Sequence, residues 1–289
     1  MDSILSSLES GRIIVADGAM GTMLQQAGLP AGTSPEAWLL ENPAAICDVH
    51  KAYVAVGAEL LLTCTLGGTS ARLQREGLSG RVAEINRRAV EIAREAADGK
   101  AYVAGDIGPL GQFLKPIGAL TYGQAVALFA EQALALAEAG ADVLYIETMA
   151  AMEEMQAAIE GAQQTDVPVF ATFSFDRHGR TNMGVKPEQA AEMLVASGIA
   201  AFGANCGATL EMTEGATARM HAAAPQSVLI AKPNAGVPHM VGRQIVYDAA
   251  PDVMAEYARR SLAMGVRVIG GCCGSQPAHI AAIAAAVHG

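Results

Sequence analysis

The chain has 289 residues, a formal net charge of −10, and 52% apolar but only 4% aromatic residues. An acidic balance with no basic run argues against nucleic acid or an anionic membrane surface as a partner, leaving small molecules or a protein. The first ten residues hold two acids and four serines, and no later stretch stays apolar long enough to span a bilayer, so a cytoplasmic chain is expected.

Five cysteines, an odd number, suit thiolate or metal chemistry in a reducing compartment better than a disulfide framework. The length fits one domain over residues 1–289, since a closed α/β barrel needs roughly 250 residues. Along the chain, residues 13–16 form the first apolar run, ending in Asp17-Gly18-Ala19. Asn42 and Pro43 open a helix whose Ile46, Val49, Tyr53 and Val56 share one face. Gly57 closes it into a second strand that ends in Thr63-Cys64-Thr65. Residues 101–104 are the third strand, followed by Gly105-Asp106. Thr121 opens a helix that Gly140 closes, and the fourth strand ends in Glu147-Thr148.

Residues 169–173 are the fifth strand, and Lys186-Pro187 opens the helix after it. Gly198 leads into a sixth strand ending in Asn205-Cys206-Gly207, and residues 228–231 lead to Pro233-Asn234-Ala235-Gly236. Gly265 feeds the eighth strand, which ends in Gly270-Gly271-Cys272-Cys273-Gly274. Eight strands alternating with helices predict a single (β/α)8 TIM barrel. An open doubly wound sheet is the alternative, but Gly18-Ala19-Met20-Gly21 lacks its full glycine fingerprint. Residues 25–34 and 105–118 read as long βα loops.

Barrel enzymes build their sites at the C-terminal strand ends, and the polar residues of this chain gather there. The two adjacent thiols sit between glycines, which permit tight turns and close approach of a ligand to the main chain. With Cys206 they make a three-thiolate set, and soft sulfur ligands select zinc in a tetrahedral site with one position open. A substrate thiol is the natural occupant of that position, and a metal would hold it as thiolate at neutral pH. Asp17 and Glu147 follow apolar strands, where a carboxylate needs a partner to offset desolvation. An ammonium group would serve, as would a structural pairing with a lysine or arginine of a neighbouring strand. The amides of Gly18 and Ala19 suit a carboxylate. Among the histidines, His50, His178, His221 and His239 show no metal spacing, while Cys47 and Cys64 read as packing.

Taken together, the stretch Asp17 to Leu24, Glu147-Thr148, Asn205-Cys206, Pro233 to Gly236 and Gly270 to Gly274 resemble the homocysteine S-methyltransferase family across nearly the whole chain. The resemblance implies zinc on Cys206, Cys272 and Cys273, with Glu147 and Asp17 holding the homocysteine amino group and the backbone near Gly18 and Ala19 meeting its carboxylate. Asn234 matches a position that completes the zinc shell until the substrate thiolate displaces it. The patterns at residues 17–24 and 105–109, with Gly274, look like the corrinoid-dependent branch, whereas users of S-methylmethionine commonly have arginine at 274. Cys64 and Leu66 depart from the usual residues. The expected donor is methylcobalamin, free or on a separate corrinoid protein. The alternatives are S-methylmethionine, betaine or another thiol acceptor, or a zinc-binding relative without turnover.

Overall fold

The computed structural model describes residues 2–207, 209–242 and 244–289. The chain begins with α1 (Ile4–Glu9), β1 (Ile14–Val15), α2 (Gly21–Gln26), α3 (Pro35–Glu41), α4 (Pro43–Ala55) and β2 (Leu60–Leu62). It continues with α5 (Ser70–Leu73), α6 (Val82–Ala97), β3 (Tyr102–Ile107), α7 (Tyr122–Glu138), β4 (Val143–Met149) and α8 (Met152–Ala162). Next come β5 (Val169–Phe173), α9 (Pro187–Ala196), β6 (Ala201–Cys206), α10 (Leu210–Ala223) and β7 (Leu229–Pro233). A hairpin of β8 (Pro238–Val241) and β9 (Gln244–Tyr247) follows, then α11 (Pro251–Ala263), β10 (Val266–Ile269) and α12 (Pro277–His288).

Eight strands form one parallel sheet in the order β1-β10-β7-β6-β5-β4-β3-β2. The sheet closes on itself where Ala16 bridges Leu60, with Glu59 N donating to Val15 O at 2.7 Å and Asp17 N to Leu60 O at 2.9 Å. The result is the expected (β/α)8 barrel, in which the apolar strands are covered outside by the ring of helices and inside by one another's side chains.

Strand alternation fills the barrel with Ile14, Leu60, Leu62, Val143, Tyr145, Phe170, Ile230 and Val268. On β4 the same period of two carries Val143 and Tyr145 on to Glu147, and on β7 it carries Ile230 on to Lys232 and Asn234. The interior wall therefore turns from apolar to polar toward the C-terminal ends. At the other end, Ile4 and Leu8 of α1 pack into the same apolar cluster, and Tyr102 Oη meets Ser7 Oγ at 2.8 Å. Burial of these side chains makes α1 a stopper for the N-terminal mouth.

Three local expectations change. Helix α4 begins at Pro43 with Ile46, Val49 and Tyr53 buried, but the side chain of Asn42 makes no capping hydrogen bond. Strand β3 runs on through Gly105 and Asp106 to Ile107, so the following loop is shorter than read. The stretch after β7, with His239, forms the β8–β9 hairpin instead of a plain loop, and it exposes Met240, Val241 and Ile245.

Candidate functional site

Two strand ends bring the three thiols together. Cys206 ends β6, while Cys272 and Cys273 follow β10, two strands away in the sheet. All three sulfurs lie within 4.8 Å of one another and are half-buried. The loop after β10 reaches this position because it is stitched on both sides: Gly271 N donates to Asp17 O at 3.0 Å and Cys272 N to Pro233 O at 2.7 Å. A Cβ on Gly270 would stand 2.7 Å from Asp17 O, and one on Gly271 would overlap Ser275 Oγ, so these glycines make room for the β1 backbone and for Ser275, where the sequence suggested a ligand. Gly274 has φ +78°, and a Cβ there would overlap the ring of Tyr247 from the hairpin.

The cysteines share protons. Hydrogen bonds from Cys206 and then Cys272 pull the Cys273 thiol down to about 3. Cys206 is pushed up to about 12, because its bond to Cys273 and its burial outweigh the Cys272 bond that favours its thiolate. Cys272 rises well above the ordinary range, chiefly through its bond to Cys206. These directions favour one thiolate hydrogen-bonded by two thiols, an arrangement ready to exchange protons for a soft cation. A tetrahedral ion with metal–sulfur bonds of about 2.3 Å spaces its sulfurs roughly 3.8 Å apart, which the observed cluster admits.

Asn205 braces the site from beneath. It is fully buried; its Oδ1 accepts from Thr148 N at 3.0 Å and from Thr172 Oγ1 at 2.9 Å. Its Nδ2 donates to Glu147 Oε2 at 3.2 Å and to Thr148 Oγ1 at 2.7 Å, and lies 3.9 Å from Cys272 Sγ. Both Thr148 and Cys206 hold a left-handed backbone, φ 63° and 60°, costly for non-glycine residues and tolerated where surroundings over-determine it. Sequence reading named Asn205 only as part of a motif; its role is set by partners on other strands.

Asp17 is buried, with Oδ2 accepting from Leu62 N at 2.8 Å and Oδ1 from Lys232 Nζ at 3.1 Å. A structural pairing is therefore present for this acid, but its lysine reaches across the barrel interior from β7, beyond the neighbouring β10. Burial pushes the Asp17 carboxyl up, against the opposing pull of Lys232. Burial likewise raises Glu147 to about 7, again opposed by Lys232. Ala19 N is engaged with Ser275 O at 3.1 Å, and Tyr53 Oη lies 2.8 Å from the carbonyls of both Ala19 and Ser275. The tyrosine ring fills the space where Gly18 would carry a Cβ, which explains the glycine. Asn234 donates from Nδ2 to Gly207 O at 2.8 Å, and its buried Oδ1 has no partner among the described residues. An orphaned amide oxygen on a residue whose backbone N donates to Cys206 O at 3.3 Å fits a ligand role.

Elsewhere the bland readings hold. Cys47 and Cys64 are buried in the main core. His50 is also fully buried, with no partner for either ring nitrogen among the described residues, and burial lowers it to about 4.

Comparison with known proteins agrees with this geometry. The family model described as homocysteine S-methyltransferase matches residues 14–287. Methionine synthase of Mycobacterium tuberculosis is 31% identical over 307 residues, covering 99% of this chain and 25% of that protein. The chain thus spans about a quarter of the methionine synthases it matches. Betaine–homocysteine S-methyltransferase 1 of Mus musculus is 29% identical, covering 97% of this chain and 74% of its own length. Among solved structures, the metallated form of the homocysteine methyltransferase MmuM from Escherichia coli superposes with a TM-score of 0.82 at 28% identity, covering 97% of this chain and 98% of that one.

Proposed function

The chain belongs to the homocysteine S-methyltransferase family, and from that premise we propose a zinc-dependent enzyme that moves a methyl group from a methylcorrinoid to the sulfur of homocysteine, giving methionine. The observation that carries this reading is the convergence of Cys206, Cys272 and Cys273 at the open mouth of the barrel, with Asn234 Oδ1 unclaimed among the described residues. Soft sulfur donors with one vacancy suit zinc. When bound, the ion would keep the homocysteine sulfur as thiolate near neutral pH, where a free thiol with a pKa of about 8.5 stays protonated.

The protein's own residues hold the rest of the amino acid. Glu147 receives the ammonium group, with Asn205 fixing the carboxylate's orientation from behind. Asp17 takes part through the acceptor sites that Leu62 and Lys232 leave open, since a carboxylate offers about four. The amide of Gly18, with Ala19 beside it, lines the carboxylate end. These contacts fix the sulfur against a methyl group arriving from the mouth, so that position does much of the catalytic work. The sulfur takes the methyl carbon, and the departing corrinoid keeps the bonding pair.

The rim favours a large donor. Leu66, Phe113, Ile117, Met183, Val237 and Met240 all expose apolar surface on loops at the C-terminal face. Exposed apolar groups in segments that follow β2, β3, β5 and β7 suit a flat macrocycle, free as methylcobalamin or presented by a separate corrinoid protein, better than a small hydrated onium ion. A second reading, a betaine-type or S-methylmethionine donor, draws on the likeness to the betaine enzyme over 74% of that protein's length.

The test assays zinc-loaded protein and homocysteine against methylcobalamin, S-methylmethionine and betaine in parallel, before and after chelation. Methionine from methylcobalamin, lost on stripping and restored by zinc, is expected. An unchanged rate in stripped protein refutes zinc dependence, and turnover with betaine or S-methylmethionine alone refutes the donor.

A further inference from the structure

Lys232 is the only lysine or arginine buried among the described residues, at 2% exposure. It stands on β7 inside the barrel, with Nζ 3.1 Å from Asp17 Oδ1 and 5.5 Å from the centroid of the Tyr145 ring. Three buried carboxyls share this chamber: Asp17, Asp106 and Glu147. One oxygen of Asp106 and the hydroxyl of Tyr145 are buried with no partner among the described residues. The chamber therefore holds more acceptor capacity than the protein fills, and only one resident positive charge.

A lysine in this place has a cost. An ammonium group buried in low dielectric is tolerated only when paired, and replacing such a pair by apolar residues is often neutral or stabilising. Stability alone is a weak reason for the Lys232–Asp17 pair. Its geometry offers another, because Lys232 on one oxygen and the Leu62 amide on the other lock the rotation of the Asp17 carboxylate while leaving acceptor sites open. Preorganised acceptors bind an ammonium group without first having to reorient.

We propose that Lys232 is a positioning residue that gives the site its selectivity for an acceptor carrying an α-ammonium group, by orienting Asp17 and balancing the charge of the Asp17–Glu147 pair before the acceptor arrives. This rests on the reading of homocysteine as acceptor. A neutral residue at 232 leaves Asp17 free to rotate and the two acids to repel each other, so the ammonium loses its prepared seat while the thiol and carboxylate ends keep theirs.

The experiment measures calorimetric binding of homocysteine and of γ-mercaptobutyrate, which lacks only the amino group, to zinc-loaded wild-type, Lys232→Met and Lys232→Arg proteins. Wild type is expected to prefer homocysteine. In Lys232→Met that preference falls by about tenfold to a hundredfold, the worth of one charge-assisted hydrogen bond, with γ-mercaptobutyrate affinity and zinc content unchanged. Lys232→Arg restores part of it. Equal weakening of both ligands in Lys232→Met, or an unchanged preference, overturns the proposal. Should Lys232→Met fold poorly, the charge-neutral Asp17→Asn/Lys232→Met variant reads the same ratio, and a wild-type preference there overturns it equally. Because no methyl donor enters the measurement, wild-type protein that prefers homocysteine yet methylates nothing refutes the proposed reaction and leaves the role of Lys232 standing.

Discussion

Replacing Asn205 by leucine keeps the number and branching of side-chain heavy atoms while removing a buried amide, so no cavity opens, and the bulkier methyls add some overpacking to the polar loss. The loss has two main parts. Thr148 N, which donates to Asn205 Oδ1 at 3.0 Å, is left without a partner beneath a left-handed backbone, at about 1–3 kcal/mol. Glu147 loses the donor at 3.2 Å, a bond to a charged group worth about 1.5–3 kcal/mol. The hydroxyls of Thr148 and Thr172 can rotate to new acceptors and are left out. A total of about 4 kcal/mol should lower the melting temperature by roughly 8 °C in a chain of this size. Calorimetry of the zinc-loaded protein reads the first effect; homocysteine titration reads the second, as weaker affinity from an unbraced Glu147. If Asn205→Leu costs less than about 1 kcal/mol, or is destabilised with homocysteine affinity intact, Asn205 does not hold the ammonium acceptor in place.

Two further outcomes follow from charge. With Cys273 pulled down and Cys206 and Cys272 pushed up, the metal-free trio is expected to hold two protons at pH 7. Zinc uptake should therefore release about two protons per ion, measurable by titration calorimetry in buffers of different ionisation enthalpy. Release near zero, or near three, contradicts the shared-proton state. His50 is lowered from 6.5 to about 4 in the folded chain, so the unfolded chain binds the extra proton between those values and stability is lost as the pH drops through that window. The loss should reach roughly 2 kcal/mol by pH 5 at about 1.36 kcal/mol per unit. Urea titrations of His50→Leu at pH 7 and pH 5 should show a decline smaller by that amount, and a parallel decline in both proteins would mean His50 finds a partner on acidification.

The strands were legible because each is an apolar run framed by a helix-closing glycine and a polar strand end, and both signals are local. The cysteine cluster was legible for a related reason: once eight strands are counted, β6 and β10 must end on the same rim. Lys232 was not legible. Following an apolar run, it reads as a lysine reaching water, and its burial depends on Asp17, 215 positions away in sequence. Asn205 escaped likewise, because an amide's role is set by what surrounds it, here side chains from β4 and β5. The hairpin at residues 238–247 lacks the alternation that marks a half-buried strand, since both of its strands project from the barrel and expose Val241 and Ile245 alike. Helix α1 gives little sequence signal of its own, with only Ile4, Ser7 and Leu8 buried over six residues.

That short helix bears on kinetics. With Ile4 and Leu8 packed at the base and aliphatic side chains filling the interior, the polar chamber has no passage through the base and opens toward the C-terminal mouth. Two reactants that share one entrance must queue. On the proposed reaction, the amino acid would be seated on the floor of the chamber before a bulkier corrinoid covers the mouth, and the methylated product would leave only after the spent corrinoid has stepped aside.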